Sequence, residues 1–344
     1  MSLTIRETTD ADQSTWDGFL AGQRTGSFYH RFGWQEVVRR RLGHRTAYLM
    51  ACDAGRVAGV LPLTYVTSRL FGKILCSVPF MNYGGPCAES AEVSSRLVAA
   101  AVEKARELGA DYLELRCAAP LETDLPVSLR KVSMTIALDP DPEVLWNGFT
   151  SKHRKNVRRA AKNGLEVRTG GLELLPEFYS VLEHSWRDLG TPLYRLDYFR
   201  SIVETFPDAT RIYACCHEGR PVSVAFVGFQ GGTAEGLWQG GLPQARILDA
   251  NYVLYWEMIR DICLRGCREF HLGRSTADSG SEWFKSRWNA ESKQLFWYFF
   301  RPDGGPLPAL NVDNPRYRLA IAAWQRLPLW MTRRLGPPLA RGIP

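Results

Sequence analysis

The sequence predicts an α/β (α+β) chain of two tandem units, each a mixed, mainly antiparallel sheet flanked by helices. An internal repeat carries most of this. FYHRFGWQEVVRRRLGHRTAYLMACDAGRVAGV, from Phe28, aligns without a gap on PLYRLDYFRSIVETFPDATRIYACCHEGRPVSV, from Pro192. Two further segments repeat in the same order: Gly84-Gly85 with Gly240-Gly241, and GADYLELR from Gly109 with GCREFHLG from Gly266. Repetition at nearly one offset is the mark of a duplicated structural unit. The length agrees, because 344 residues exceed what one hydrophobic core usually holds.

Within each unit the pattern reads as an aromatic-bearing helix, a short strand, a Gly-Arg turn and a second strand. The turns fall at Gly55-Arg56 and Gly219-Arg220. A Gly-Gly loop follows, then a helix that stops at a glycine before a new strand. The join lies at Asp139-Pro-Asp-Pro142, a loop signal. Ser151 is the expected N-cap of a basic helix that ends before Gly164. The expected division is residues 1–150, 151–300 and a basic amphipathic tail, 301–344. In the tail, Asn314 caps a helix with Pro315 at its first position, and Tyr317, Ile321 and Trp324 share a face.

Composition narrows the class. With 45% hydrophobic and 23% charged residues the chain is globular. No stretch approaches the ~18 apolar residues of a membrane span, and MSLTIRETTDADQ is polar where a signal peptide would be basic and then apolar. A cytoplasmic protein is expected. The eight cysteines form no C-x-x-C pair and several sit in apolar runs such as IYACC, so they read as reduced, buried thiols with no metal site.

The net charge of +7 is regional. Residues 151–163 carry six Lys/Arg and no acid, as do residues 314–344, and the remainder is net acidic. Lys152, Lys155, Arg159 and Lys162 recur every three or four residues, so one helix face can offer several cations to phosphates of RNA or of a diphosphate. A solvated helix face is the plainer reading. The tail helix either packs on the body or lies on an anionic membrane.

The order helix, hairpin, glycine loop, helix, strand resembles an N-acetyltransferase-like (GNAT) unit. Duplicated, and with the phrases SKHRKNVRRAAKNGLEV, DLGTPLYRLDYF and ANYVLYWEMIRDICLRGCREFHLGRS followed by FKSRW, it resembles the FemAB family and the related BioF2-like acyltransferases. The nearest branch is the FemAB-related group found with exosortase and exopolysaccharide systems. The resemblance implies transfer of an acyl or aminoacyl group to an amine of a cell-envelope or lipid-linked saccharide precursor, with tRNA as a partner. YGGPCAESAEV and QGGLPQARILDAN keep two glycines each but not the spacing of a CoA pyrophosphate loop. No cofactor is therefore expected; the donor would be aminoacyl-tRNA or an acyl thioester, with acetyl-CoA the less favoured.

Acyl transfer needs positive charge or N–H donors where oxyanion charge develops. In FemAB transferases the lysine of a Phe-Lys pair after the last strand of the second domain is implicated in transfer, and Phe284-Lys285 occupies that place. The competing reading makes Lys285 the wet edge of an amphipathic helix whose Trp283, Phe284 and Trp288 are core. Arg274, at a strand end beside Gly273, is the second candidate cation, unless it pairs with Glu282 or Asp278. Phe284, Trp238, Tyr83, Asn251 and Trp288 complete the candidate substrate contacts. Asn251 reads equally as a helix cap, and Tyr83 and Trp238 as core aromatics. His271 and His184 lack a Ser or Cys partner in any nucleophile motif and read as structural. Without chemistry, the same scaffold would be a binding module for RNA or an anionic saccharide.

Overall fold

A computed structural model describes residues 3–69, 71–276, 280–306 and 315–343. The first unit is built on two sheets. One has the order Thr4–Glu7, Leu49–Asp53, Arg56–Leu61, Cys87–Ala88. The other runs Arg45–Thr46, Thr64–Ser68, Gly72–Cys76, Tyr112–Cys117, Phe296–Phe300, Val127–Ser128. The second unit is one seven-stranded sheet, ordered Leu165–Gly170, Thr210–His217, Arg220–Gln230, Thr233–Gly241, Glu269–Thr276, Lys131–Ala137, Glu291–Gln294. Helices flank the sheets, as the sequence predicts.

The repeated Gly-Arg turns are two-residue hairpin turns. Ala54-Gly55 (φ 49° and 83°) and Glu218-Gly219 (φ 49° and 76°) are both left-handed. Positive φ at both central residues matches the twist of an antiparallel pair, which is why glycine recurs at the second position.

In each unit one parallel pair interrupts the antiparallel order. Ile74 lies opposite Tyr112 in the first, and Thr233 opposite Glu269 in the second. The second pair ends at Glu235 and His271. Beyond that point the strands diverge, and a space opens between them.

Two strands cross between the halves. Lys131–Ala137 lies between Glu269–Thr276 and Glu291–Gln294 in the second unit's sheet, whereas Phe296–Phe300 pairs with Tyr112–Cys117 in the first. Both crossings run over the expected divisions at residues 150 and 300. The seam between the halves is tightly packed. A Cβ on Gly228 would come within 2.6 Å of Phe28 ring carbons, and one on Gly33 would lie 2.6 Å from Thr205.

Local corrections concern the ends of elements. The helix Ser151–Ala160 is capped by Thr150, whose Oγ1 accepts from the His153 N–H at 3.2 Å, rather than by Ser151. It buries His153, Val157 and Ala160, while Ala161 is exposed. Gly240-Gly241 belongs to the strand Thr233–Gly241, not to a loop, because Leu182 and Ser185 press on Gly240 from the helix Leu175–Asp188. Gly84-Gly85 is a loop, as expected.

The tail folds as helices Pro315–Gln325 and Leu329–Ala340. Arg333 donates to both Glu183 oxygens at 2.7 and 2.5 Å, and Gln325 donates to the Asp188 carbonyl at 2.9 Å, so both helices are tied to the body. Trp324 is buried, whereas Trp330 and Leu319 are exposed. Asn314 and the side chain of Tyr317 lie outside the described residues. No helix among the described residues is long and apolar enough to cross a membrane.

Candidate active site

The space where the second unit's strands diverge is a cavity of about 570 Å³. Its walls are Gly236–Gln239 on one strand and Leu272–Ser275 on the other. Phe80, Asn82 and Lys131 come from the first half of the chain, and Lys285 closes one side. Gly236 and Gly273 mark the point of divergence: a Cβ on Gly273 would meet the Gly236 carbonyl at 3.3 Å. The strand backbones thus touch there before separating.

Lys285 is 9% exposed. Its ammonium donates three hydrogen bonds of 3.1 Å, to the Gly273 and Arg274 carbonyls and to Ser275 Oγ. An ammonium has three protons, so each is engaged, and the lysine fastens the strand end that carries Arg274. Burial lowers its pKa from 10.5 to about 8.

The Arg274 Nε–H donates to Asn82 Oδ1 at 3.2 Å, and its guanidinium lies 5.3 Å from the Trp297 ring centre. Burial, then the nearby Arg116, pulls its pKa down to about 10. Burial and Arg274 also lower that of Lys131. Three cations and no carboxylate therefore line this cavity among the described residues, which makes it an anion-attracting chamber. Lys285 and Arg274 come together there as the sequence suggested. Of the two alternative partners for Arg274, Glu282 and Asp278, the latter lies outside the described residues.

Trp238 lines the same cavity and packs edge-on to Phe199 and Tyr198. The other candidate contacts lie elsewhere. Phe284 packs on Tyr255 and Tyr252, and Trp288 is fully buried against Phe149, His153 and Tyr255. Both follow the core-packing alternative. Asn251 is neither a cap nor a cavity residue: Asp249 is the N-cap, and Asn251 Oδ1 accepts from Ser223 Oγ at 2.6 Å. That bond joins the helix Ala250–Leu264 to the strand Arg220–Gln230.

Tyr83 sits at a second cavity of about 420 Å³ in the first unit. Its hydroxyl donates to Glu235 Oε1 at 2.5 Å and lies 2.9 Å from His271 Nδ1. His271, read as structural from the sequence, also has Nε2 3.4 Å from Glu269 Oε2. Glu235, Asn82 and Lys131 were missed, and alternation along single strands carries no signal for them. His184 is half-buried, with Nδ1 2.7 Å from the Ser180 carbonyl.

Lys152, Lys155 and Arg159 on the basic helix, and Lys162 in the turn just past its end, are all exposed, and Arg159 donates to Asp249 at 2.6 Å. The eight cysteines are free thiols, seven of them buried, and no group of three metal-ligating side chains converges among the described residues.

Two mixed-sheet units with exchanged strands, flanked by helices, define the class: this is a tandem GNAT-like fold. Residues 151–286 match the acetyltransferase (GNAT) domain family. The chain is similar to the crystal structure of FemX, at a TM-score of 0.66 and 14% identity over 92% of this chain and 100% of that one. The C-terminal domain of a putative lysylphosphatidylglycerol synthetase from Agrobacterium fabrum gives a TM-score of 0.57 and 13% identity, over 84% and 92% of the two chains. A tandem GNAT protein from the clavulanic acid biosynthesis pathway gives 0.54 and 14%, over 89% and 100%. At these identities the likeness is one of fold. No curated protein sequence matches the chain.

Proposed function

We infer that the protein is a FemAB-like acyl or aminoacyltransferase whose second-unit cavity holds the reacting carbonyl, with an amine of a cell-envelope or exopolysaccharide precursor as acceptor. The observation that carries this reading is the buried, fully hydrogen-bonded Lys285 in a cavity lined by cations and, among the described residues, by no carboxylate. When the amine attacks an ester or thioester, negative charge grows on the carbonyl oxygen. A buried ammonium held by fixed hydrogen bonds stabilises that charge without reorganising. The attacking amine releases a proton, and the departing oxygen or sulfur takes one up, so the net step is proton-neutral. Because its three protons are engaged, Lys285 acts through its charge, and gives an N–H to the oxyanion only by exchanging one partner.

The exposed Lys152, Lys155 and Lys162 suit a tRNA donor, and the exposed Trp330 and Leu319 beside the tail arginines suit peripheral contact with a membrane bearing a lipid-linked acceptor. The test is a transfer assay with a charged tRNA pool or acyl thioesters and a panel of amine acceptors, including UDP-linked and lipid-linked amino sugars. The reading predicts turnover that Lys285→Ala lowers by about 10²- to 10³-fold. No transfer from either donor class to any amine would overturn it. Salt-sensitive RNA binding by wild type and Lys285→Ala alike would then favour a binding module.

A further inference from the structure

The second-unit cavity has two kinds of wall. Lys131, Arg274 and Lys285 supply charge, whereas Phe80, Trp186, Leu237, Trp238, Met258 and Leu272 make most of the remaining lining apolar. Leu237 and Trp238 are neighbours on one strand, and simple alternation would send only one of them inward. A bulge brings in both. Val227 lies opposite Gly236 and Phe226 opposite Trp238, so Leu237 is the extra residue. Tyr255 adds a rigid panel to the lining. It stacks on Trp288 at 5.5 Å and meets Phe284 edge-on at 5.1 Å, so the segment that delivers Lys285 also props the apolar wall.

These walls discriminate between the two kinds of donor. An aminoacyl ester carries an α-ammonium near neutral pH, and three cations in the lining would repel it with no carboxylate among the described lining residues to offset them. The neutral acceptors are already accepting hydrogen bonds: Asn82 Oδ1 from Arg274, Gln239 Oε1 from Tyr255 and Ser275 Oγ from Lys285. A buried ammonium without partners is strongly disfavoured. A plain acyl chain avoids that cost and buries apolar surface against the aromatic wall. We propose that the second-unit cavity takes a neutral acyl group with an apolar body of several carbons, not an aminoacyl group. In the transfer the amine nitrogen bonds the acyl carbon, the C–S or C–O bond to the carrier breaks, and the amine's proton goes to the departing sulfur or oxygen. The proposal rests on the reading of this cavity as that of a transferase and narrows its donor.

The experiment measures binding of acetate, butyrate, octanoate and 2-aminooctanoate to the full chain by calorimetry; their carboxylates stand in for the reacting carbonyl and its developing charge. The series is repeated on Leu237→Glu, with melting temperatures to confirm folding. Expected is an affinity that rises about two- to fourfold per methylene from butyrate to octanoate, and that is at least about tenfold weaker for 2-aminooctanoate than for octanoate. Leu237→Glu should weaken octanoate by about tenfold or more and narrow its advantage over 2-aminooctanoate. In parallel, kcat/KM for transfer to the amine panel is compared between the octanoyl thioester of N-acetylcysteamine and a charged tRNA pool, and the thioester should be the better donor. No gain from butyrate to octanoate, or equal binding of octanoate and 2-aminooctanoate, overturns the proposal on wild type alone. A higher kcat/KM for charged tRNA also overturns it and leaves the transferase reading standing. Chain-length-dependent binding that the α-ammonium weakens, without transfer from any donor, upholds the selectivity of the cavity and removes the transferase reading.

Discussion

The two cavities are products of one duplicated architecture, yet one is lined by cations alone among the described charged residues and the other by both signs of charge. The second unit's opens where a parallel strand pair diverges, the first unit's lies between Ala88 and Cys117 of its two sheets, and each is completed by the other half of the chain. The second unit's cavity takes Phe80, Asn82 and Lys131 from the first half, and the first unit's takes Thr233, Glu235, Glu269, His271 and Lys293 from the second. The former presents Lys131, Arg274 and Lys285 with no carboxylate among the described residues. The latter is lined by Glu235 and Glu269 together with Arg24 and Lys293. The scaffold therefore supplies two concave sites, and a few strand-end residues decide what each attracts.

The largest expected effect separates the cavities by chemistry. Lys285→Ala should lower kcat for acyl transfer by about 10²- to 10³-fold, the usual consequence of losing one oxyanion stabiliser. A steady-state assay on any acceptor that proves active measures it. A drop below fivefold would confine Lys285 to fastening the strand end.

The ionisation of Lys285 provides the next test. Its folded pKa of about 8 lies below the ordinary 10.5, because burial disfavours the ammonium. Below pH 8 the lysine is charged folded and unfolded, and the penalty for burying it is fully present. Between about 8 and 10.5 the unfolded chain holds a proton that the folded chain has released, so stability relative to Lys285→Met rises through that window, by on the order of 2 kcal/mol. Urea titrations of both proteins at pH 7 and pH 10 measure this. Transfer activity should fall over the same rise if the ammonium is the working form, and a flat profile from pH 7 to 9.5 would contradict it.

The seam that joins the cavities should behave as one body. Gly228→Ala would drive a methyl group into the Phe28 ring, and overpacking of this kind destabilises by about 1–3 kcal/mol. Calorimetry should show one unfolding transition moved to lower temperature; loss of only one of two transitions would show that the halves unfold separately. The smallest effect on stability belongs to the exposed helix face. Replacing Lys152, Lys155 and Lys162 with Gln should change stability by no more than about 0.5 kcal/mol per site. The same change should flatten the slope of log affinity for tRNA against log salt by about 0.7 for each phosphate that is no longer neutralised. An unchanged slope would mark the face as merely solvated.

Particular residues show how far the sequence reached. Lys285, Arg274 and Trp238 were found, because a Phe-Lys pair, a strand end beside glycine and an aromatic next to a repeated Gly-Gly are local patterns. Phe284 and Trp288 shared that neighbourhood, but alternation along a helix cannot say which aromatic faces a cavity and which faces Tyr255. Tyr83 does line a cleft, and its placement in the other cavity depends on a strand from the second unit. Asn251 shows the same limit: its short polar side chain suits a cap, yet Ser223 on a neighbouring strand claims it.

The sequence by itself determined the duplication, the mixed α/β character of each unit, the hairpin turns and the regional basicity. These follow from period, glycine conformation and composition, which are properties of short segments. Only the tertiary structure decided that Lys131–Ala137 and Phe296–Phe300 exchange sheets, that Asn82 meets Arg274, and that Glu235 lies beneath Tyr83. A strand's pattern dictates which of its faces is apolar but leaves its neighbour open, since every backbone edge offers the same hydrogen bonds. The cavities form at those pairings, so their charge is set by contacts between residues as far apart as Asn82 and Arg274.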